Sequence, residues 1–240
     1  MSGERKAIPM VDAILAAAGR GRRMGETPTR KQFLFLGGRP LLSHCLEALR
    51  ACPQVRRIIL AVSPEDLLWV RREWLPRHAG DARVELVEGG AERQDTVANA
   101  LMLVSGDCEA VLIHDGARPL AAPGLFRRCI EALPGFDGVV PVVPCRDTVK
   151  EVREGLVVRT LDRGVLFNAQ TPQVFRREAL LDSYRRARTD GFTSTDDAAL
   201  LERYGYRVRV VEGETANLKV TFPEDLAMAE ALLRGRGSIN

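Results

Sequence analysis

Val11-Asp12-Ala13-Ile14-Leu15-Ala16-Ala17-Ala18-Gly19-Arg20-Gly21-Arg22-Arg23-Met24-Gly25 joins an aliphatic run to a turn made of small residues and arginines. The run from Val11 to Ala17 reads as a strand. The small residues that follow admit close approach to the backbone, whose N–H groups suit phosphate oxygens, while guanidinium groups add forked donors and fixed charge. Lys31 supplies another cation a few residues on. A plain strand-to-helix turn with solvated arginines is the alternative reading. Two familiar phosphate loops are not present: a dinucleotide-binding G-x-G-x-x-G needs glycine where Met24 stands, and no G-K-[ST] follows the glycines.

Outward from this stretch the same kind of run recurs at Ile58 to Val62, Val84 to Val87, Val111 to Ile113 and Val139 to Val143. Helix-like segments at Leu41 to Ala51, Glu65 to Trp74, Thr96 to Val104, Pro123 to Ala132, Arg177 to Thr189, Asp196 to Tyr204 and Pro223 to Leu233 separate most of these runs or follow them. The runs are nearly continuous in apolar residues rather than alternating, as strands are when both faces lie under helices. The pattern predicts an α/β fold with a doubly wound, mostly parallel sheet, one domain over 1–240 and a short polar tail at about 234–240. Ligands in such folds gather beyond the carboxyl ends of the strands. One segment departs from the alternation: Thr148 to Val152 and Val157 to Leu161 flank Glu154-Gly155 as a β-hairpin. An arm of this kind, at about 147–163, is expected to project and to pair with a second copy in a homodimer, which would satisfy its open edges.

Composition narrows the function. With 35 basic and 32 acidic residues the net charge is only +3, so no global field favours nucleic acid or a membrane surface, and any anion site must be local. Five widely spaced cysteines without a Cys-x-x-Cys pair argue for reduced thiols and against zinc. The charged start, Met1 to Pro9, lacks the apolar core of a signal peptide, and no run reaches membrane-spanning length. A cytoplasmic protein is expected.

The run at Val111 ends in His114-Asp115-Gly116-Ala117-Arg118-Pro119, which puts a carboxylate where a ligand should lie. Asp115 suits either a magnesium ion bridging nucleotide phosphates or hydrogen bonds to substrate hydroxyls, a turn residue being the plainer reading. His114, like His44 and His78, reads as structural. Thr193-Ser194-Thr195-Asp196-Asp197 reads chiefly as a helix cap.

Taken in order, A-A-A-G-x-G-x-R-M at 16–24, Lys31-Gln32-Phe33, Gly89-Gly90-Ala91-Glu92-Arg93, His114 to Pro119, Arg146-Asp147-Thr148, Thr171-Pro172-Gln173 and Asn217-Leu218-Lys219-Val220-Thr221 resemble the 2-C-methyl-D-erythritol 4-phosphate cytidylyltransferases over about 11 to 232. The resemblance implies a Rossmann-like nucleotidyltransferase fold that binds CTP and a sugar-alcohol phosphate, uses Mg2+ and needs no covalent nucleophile. It implies that Arg23 and Lys31 stabilise the transition state at the α-phosphorus. Arg163 and Lys219 would hold methylerythritol phosphate for attack, Arg163 from the neighbouring subunit. Ala17, Ala18, Gly19, Arg20, Gly21, Gly90, Arg93, Thr96, Asp115 and Gly116 would surround the nucleotide. Asp115, Arg118 and, across the dimer, Thr148 would contact the acceptor.

Two positions depart from the family pattern: Ala91 stands where many relatives carry an acid, and Thr96 where many carry serine. A resemblance ending near Leu233 also implies a monofunctional chain without a fused cyclodiphosphate synthase. A ribitol-5-phosphate cytidylyltransferase shares the loop and Lys31, and is the competing reading within the class. A non-catalytic nucleotide-binding module is the competing reading outside it, and Met24 weakens a nicotinamide oxidoreductase.

Overall fold

The computed structural model describes residues 8–25, 30–78 and 83–237; the first seven residues and the last three of the expected tail lie outside them. Strand β1 (Val11–Ala17) leads through two short 3-10 turns, Arg22–Met24 and Lys31–Phe33, to a small hairpin of β2 (Phe35–Leu36) and β3 (Arg39–Pro40) and to helix α1 (Leu41–Arg50). Next come β4 (Val55–Val62), α2 (Pro64–Trp69), a π-helical turn at Val70–Trp74, and α3 (Leu75–His78). The sheet continues with β5 (Val84–Glu88), α4 (Arg93–Leu101), β6 (Ala110–Asp115), α5 (Pro123–Glu131) and β7 (Gly138–Pro144). The arm is β8 (Lys150–Arg153) and β9 (Leu156–Thr160), followed by β10 (Phe167–Ala169), β11 (Gln173–Arg176), α6 (Arg177–Asp190), α7 (Asp197–Arg203), β12 (Val208–Glu212) and α8 (Pro223–Gly237). Helix α8 therefore extends past Leu233 into the segment expected to be tail.

β5, β4, β1 and β6 pair in parallel, the doubly wound half that the apolar runs predict. β11 then enters antiparallel between β6 and β7. Val139 pairs with both Val174 and Arg209, and Val142 with both Ala169 and Glu212, so β10 and β11 share one edge of β7 and β12 takes the other. Gly138 is needed for this crossing, since a Cβ there would lie 2.7 Å from the Phe175 ring. The arm forms a separate two-stranded sheet whose turn residues, Glu154 (φ 49°) and Gly155 (φ 79°), both occupy the left-handed region that two-residue hairpins require.

Side chains of β1 alternate between two cores. Ala13, Leu15 and Ala17 pack with Leu46 of α1 and Phe126 of α5, whereas Ile14 packs with Val97 of α4 and Leu180 of α6. The leucines, Ile14, Val97 and Phe126 each contribute roughly 1.5–3 kcal/mol by leaving water. At the amino end of the strands Asp12, fully buried, accepts from Arg56 Nε (2.8 Å), Arg57 (3.1 Å) and the Ser105 amide (2.9 Å). That knot fixes the end of the sheet opposite the cavity. Among the described residues no helix is long and apolar enough to cross a membrane.

Candidate active site

At the carboxyl ends of β1, β4, β5 and β6 lies an open cavity of about 730 Å3. Its floor is Ala17, Ala18, Gly19, Arg20 and Gly21, the loop that leaves β1. Gly21 has φ +67°, and a Cβ on it would come within 3.1 Å of Lys31 Cβ, so glycine lets the loop pass against the residue that carries the cation. Gln32, buried beside Lys31, donates to the Ala17 carbonyl at 2.7 Å and ties the two segments together. Arg23, on the exposed side, lies over the Phe222 ring at 5.8 Å.

The second wall is the turn from β5 into α4. Gly89 and Gly90 leave no room for a side chain, because a Cβ would meet Ala18 Cβ or Asp95 Cβ at 2.2 Å. Thr96 spends its hydroxyl inside this wall, donating to the Glu92 carbonyl (3.0 Å) and accepting from the Gly90 amide (3.1 Å). It thereby shapes the Gly90 turn. Serine could make the same two bonds, so the hydroxyl that matters to the turn is retained.

Asp115 and Gly116 close the back. Asp115 Oδ1 accepts from Arg93 Nε at 3.0 Å and Oδ2 from Lys219 Nζ at 2.6 Å. Burial would raise the Asp115 carboxyl, but the charges of Arg93, Lys219 and Arg118 outweigh it and hold the group well below the usual carboxylate range. Burial, then the charges of Lys219 and Arg23, push the Lys31 amine down to about 8. Arg20, Arg23, Lys31, Arg93 and Lys219 thus face one volume with only Glu65, Glu92 and Asp115 against them, an excess of positive charge that a polyphosphate completes.

The sequence-based roles divide here. Ala17, Ala18, Gly19, Arg20, Gly21, Arg23, Lys31, Gly90, Arg93, Thr96, Asp115, Gly116 and Lys219 all line the cavity. Arg118 does not: its guanidinium donates to the Asn217 carbonyl at 2.8 Å and so braces the segment that carries Lys219. Thr148 and Arg163 are exposed on or beside the arm, where Arg163 donates to the Arg146 carbonyl at 3.0 Å, and the single chain does not bring them to the cavity.

Both Asp115 oxygens hold cations here, Arg93 on Oδ1 and Lys219 on Oδ2, so a magnesium ion at this carboxylate would share it with them. Among the described residues no group of three His, Cys, Asp or Glu side chains is placed to hold a metal ion. The cavity therefore fits a magnesium ion that takes its oxygens from phosphates and water and does not fit one caged by protein.

Ser63, Glu65 and Thr221 also line the cavity and were not singled out. Glu65, at the start of α2, pairs with Arg20 at 3.4 Å and with Arg30. The rule that ligands gather beyond strand ends applies equally after Val62, and would have found Ser63 and Glu65. Asp196 caps α7 by accepting from the Ala199 amide at 3.0 Å, as its sequence context predicts. Asp197 goes further and reaches Arg93 at 2.7 Å.

The chain is similar over residues 11–235 to the family model for IspD, 2-C-methyl-D-erythritol 4-phosphate cytidylyltransferase. It is 46% identical over 224 residues to the enzyme of that name from Aquifex aeolicus, covering 93% of this chain and 98% of the relative. To the one from Cereibacter sphaeroides strain KD131 it is 49% identical, covering 92% and 96%. A solved 4-diphosphocytidyl-2C-methyl-D-erythritol synthase from Anaerococcus prevotii superposes with a TM-score of 0.82 at 30% identity, covering 95% of this chain and all of that one. A cavity with this floor and these cations, on a chain matched along almost its whole length, makes the protein a member of the 2-C-methyl-D-erythritol 4-phosphate cytidylyltransferase family.

Proposed function

We propose that this chain transfers CMP from CTP to 2-C-methyl-D-erythritol 4-phosphate, releasing pyrophosphate. The observation that carries the proposal is the convergence of Lys31, Arg23 and Lys219 on one cavity beneath a glycine-rich floor. An oxygen of the acceptor phosphate forms the new bond to the α-phosphorus while the α–β bridging bond breaks, and its electron pair leaves with pyrophosphate. Negative charge grows on the transferred phosphoryl group, and Lys31 and Arg23 stand where it grows. Lys219, anchored by Asp115, orients the acceptor phosphate, and orientation of this kind lowers the barrier by prepaid entropy. The Gly89-Gly90 turn and the Ala17-Ala18 floor, whose small residues all line the cavity, hold the nucleoside by close backbone approach.

A bound magnesium ion, carried by the triphosphate, would neutralise charge on the departing pyrophosphate. The chain acts as a homodimer in the cytoplasm on this reading. The arm exposes Val152, Leu156, Val157 and Val158, a run of apolar side chains that a second copy would cover, and it carries Thr148 and Arg163 toward the neighbour's acceptor.

The test is pyrophosphate release from CTP and magnesium with methylerythritol phosphate, with ribitol 5-phosphate as control acceptor. Release is expected only with the former, and Lys31→Ala is expected to lower kcat by about 10²–10³. Release with ribitol phosphate alone would move the chain to the sister activity, and none with either acceptor would overturn the proposal.

A further inference from the structure

Arg93 uses its side chain in an unusual way. Nε and one terminal nitrogen of a guanidinium commonly grip a single carboxylate as a fork. Here Nε donates to Asp115 Oδ1 at 3.0 Å, while the terminal nitrogen donates to Asp197 Oδ2 at 2.7 Å. Asp197 is 1% exposed, and its other oxygen accepts from the Tyr184 hydroxyl at 2.6 Å. Tyr184 is itself buried on α6, so the chain Tyr184, Asp197, Arg93, Asp115, Lys219 runs from the core into the cavity. With Nε on Asp115 and that terminal nitrogen on Asp197, the fork edge of Arg93 is split between two carboxylates, and Asp115 Oδ2 pairs with Lys219 Nζ at 2.6 Å.

We infer that Asp197, fixed by Tyr184, is a positioning residue: it divides the Arg93 fork between two carboxylates and so reserves one oxygen of Asp115 for Lys219. Without the Asp197 charge, Arg93 closes its fork on Asp115, shares Oδ2 with Lys219 and loosens the lysine's anchor. The catalytic consequence rests on the reading of Lys219 given above, whereas the structural consequence does not.

The experiment keeps the two apart. The chain has four lysines, Lys6, Lys31, Lys150 and Lys219, so amine labelling resolved by mass spectrometry reads each one separately. In the substrate-free protein, Asp197→Asn is expected to speed labelling of Lys219 by about two- to fivefold, the factor that release from a partly exposed ion pair gives. Lys150, on the arm, is expected to keep its rate and serves as the internal reference. Tyr184→Phe, which retains the Asp197 charge and removes only its hydroxyl partner, shifts Lys219 in the same direction by less, and covers the case in which Asp197→Asn does not fold.

In turnover, Asp197→Asn is expected to lower kcat about tenfold while the KM for CTP stays within about twofold, since misplacing one orienting group acts on the attack step. In an Arg93→Lys background, which has no fork to divide, the Asp197→Asn effect on Lys219 labelling is expected to vanish. An unchanged Lys219 rate in both single variants overturns the inference. Faster labelling in a protein that turns over neither acceptor leaves the inference standing and removes the functional reading.

Discussion

Lys31 is the residue whose chemistry is most exposed to test. Its amine lies near 8 because burial and the neighbouring Lys219 and Arg23 all disfavour the charged form. A triphosphate favours the charged form. In the free protein the ammonium is therefore complete well below about pH 8 and is lost as pH rises through it. CTP affinity is expected to be flat up to about pH 7 and to fall above about pH 8, by up to tenfold per unit while binding requires the proton. Lys31→Arg keeps its charge throughout this range and should flatten the profile. Calorimetric dissociation constants between about pH 7 and about pH 9.5 decide the matter, and a flat wild-type profile would place Lys31 away from the phosphates. At this scale the sequence was informative wherever a residue's type and its place after a strand coincided, as for Arg23, Lys31 and Asp115. Asp197 was not legible, because its sequence context is that of a helix cap and its partner lies 104 residues away.

Among the elements, β6 shows how tightly the sheet constrains a titratable group. All six of its residues are buried. His114 Nε2 lies 3.2 Å from the Arg118 carbonyl, which can only accept, so Nε2 carries the hydrogen and Nδ1 accepts from Thr171 Oγ1 at 2.9 Å. A second proton on Nδ1 would oppose the threonine hydroxyl, and burial pushes the imidazole down to about 4. Between about pH 6.5 and about pH 4 the unfolded chain binds a proton that the folded one refuses. Stability should therefore fall by up to about 3 kcal/mol as pH drops through that window. Urea midpoints for the wild type and His114→Asn test this; equal slopes in both would show that another group is responsible. β1, β4 and β6 were legible because burial on both faces makes them nearly continuous apolar runs. β10, β11 and β12 were not: Phe167–Ala169 is exposed, Gln173–Arg176 is mostly polar or charged at its ends, and Val208–Glu212 mixes valines with arginine and glutamate at an edge. The hairpin was legible because two strand-like segments, Thr148 to Val152 and Val157 to Leu161, flank Glu154-Gly155 at the spacing of a two-residue turn.

For the molecule as a whole, one end is locked and the other is open. The Asp12 knot holds the amino ends of the strands, while their carboxyl ends shape the cavity. The arm emerges from that open end, because β7 finishes at Pro144 beside the start of β10. Leu156→Asp combined with Val158→Asp is expected to turn a dimer into a species of 26.5 kDa in sedimentation. It is also expected to reduce turnover without unfolding the sheet, since the altered side chains are 74% and 52% exposed. A dimer that survives both changes would mean that the arm is not the interface.

Pro144 and Phe167 face each other in register, so the 22 residues between them, 145 to 166, form a closed detour that starts and finishes at one spot on the sheet. No helix has to span the sheet to accommodate it. Such a detour behaves as a cassette. It can be excised, exchanged or lengthened while the parallel half keeps its register, so the arm can diverge without disturbing the strands whose ends shape the cavity.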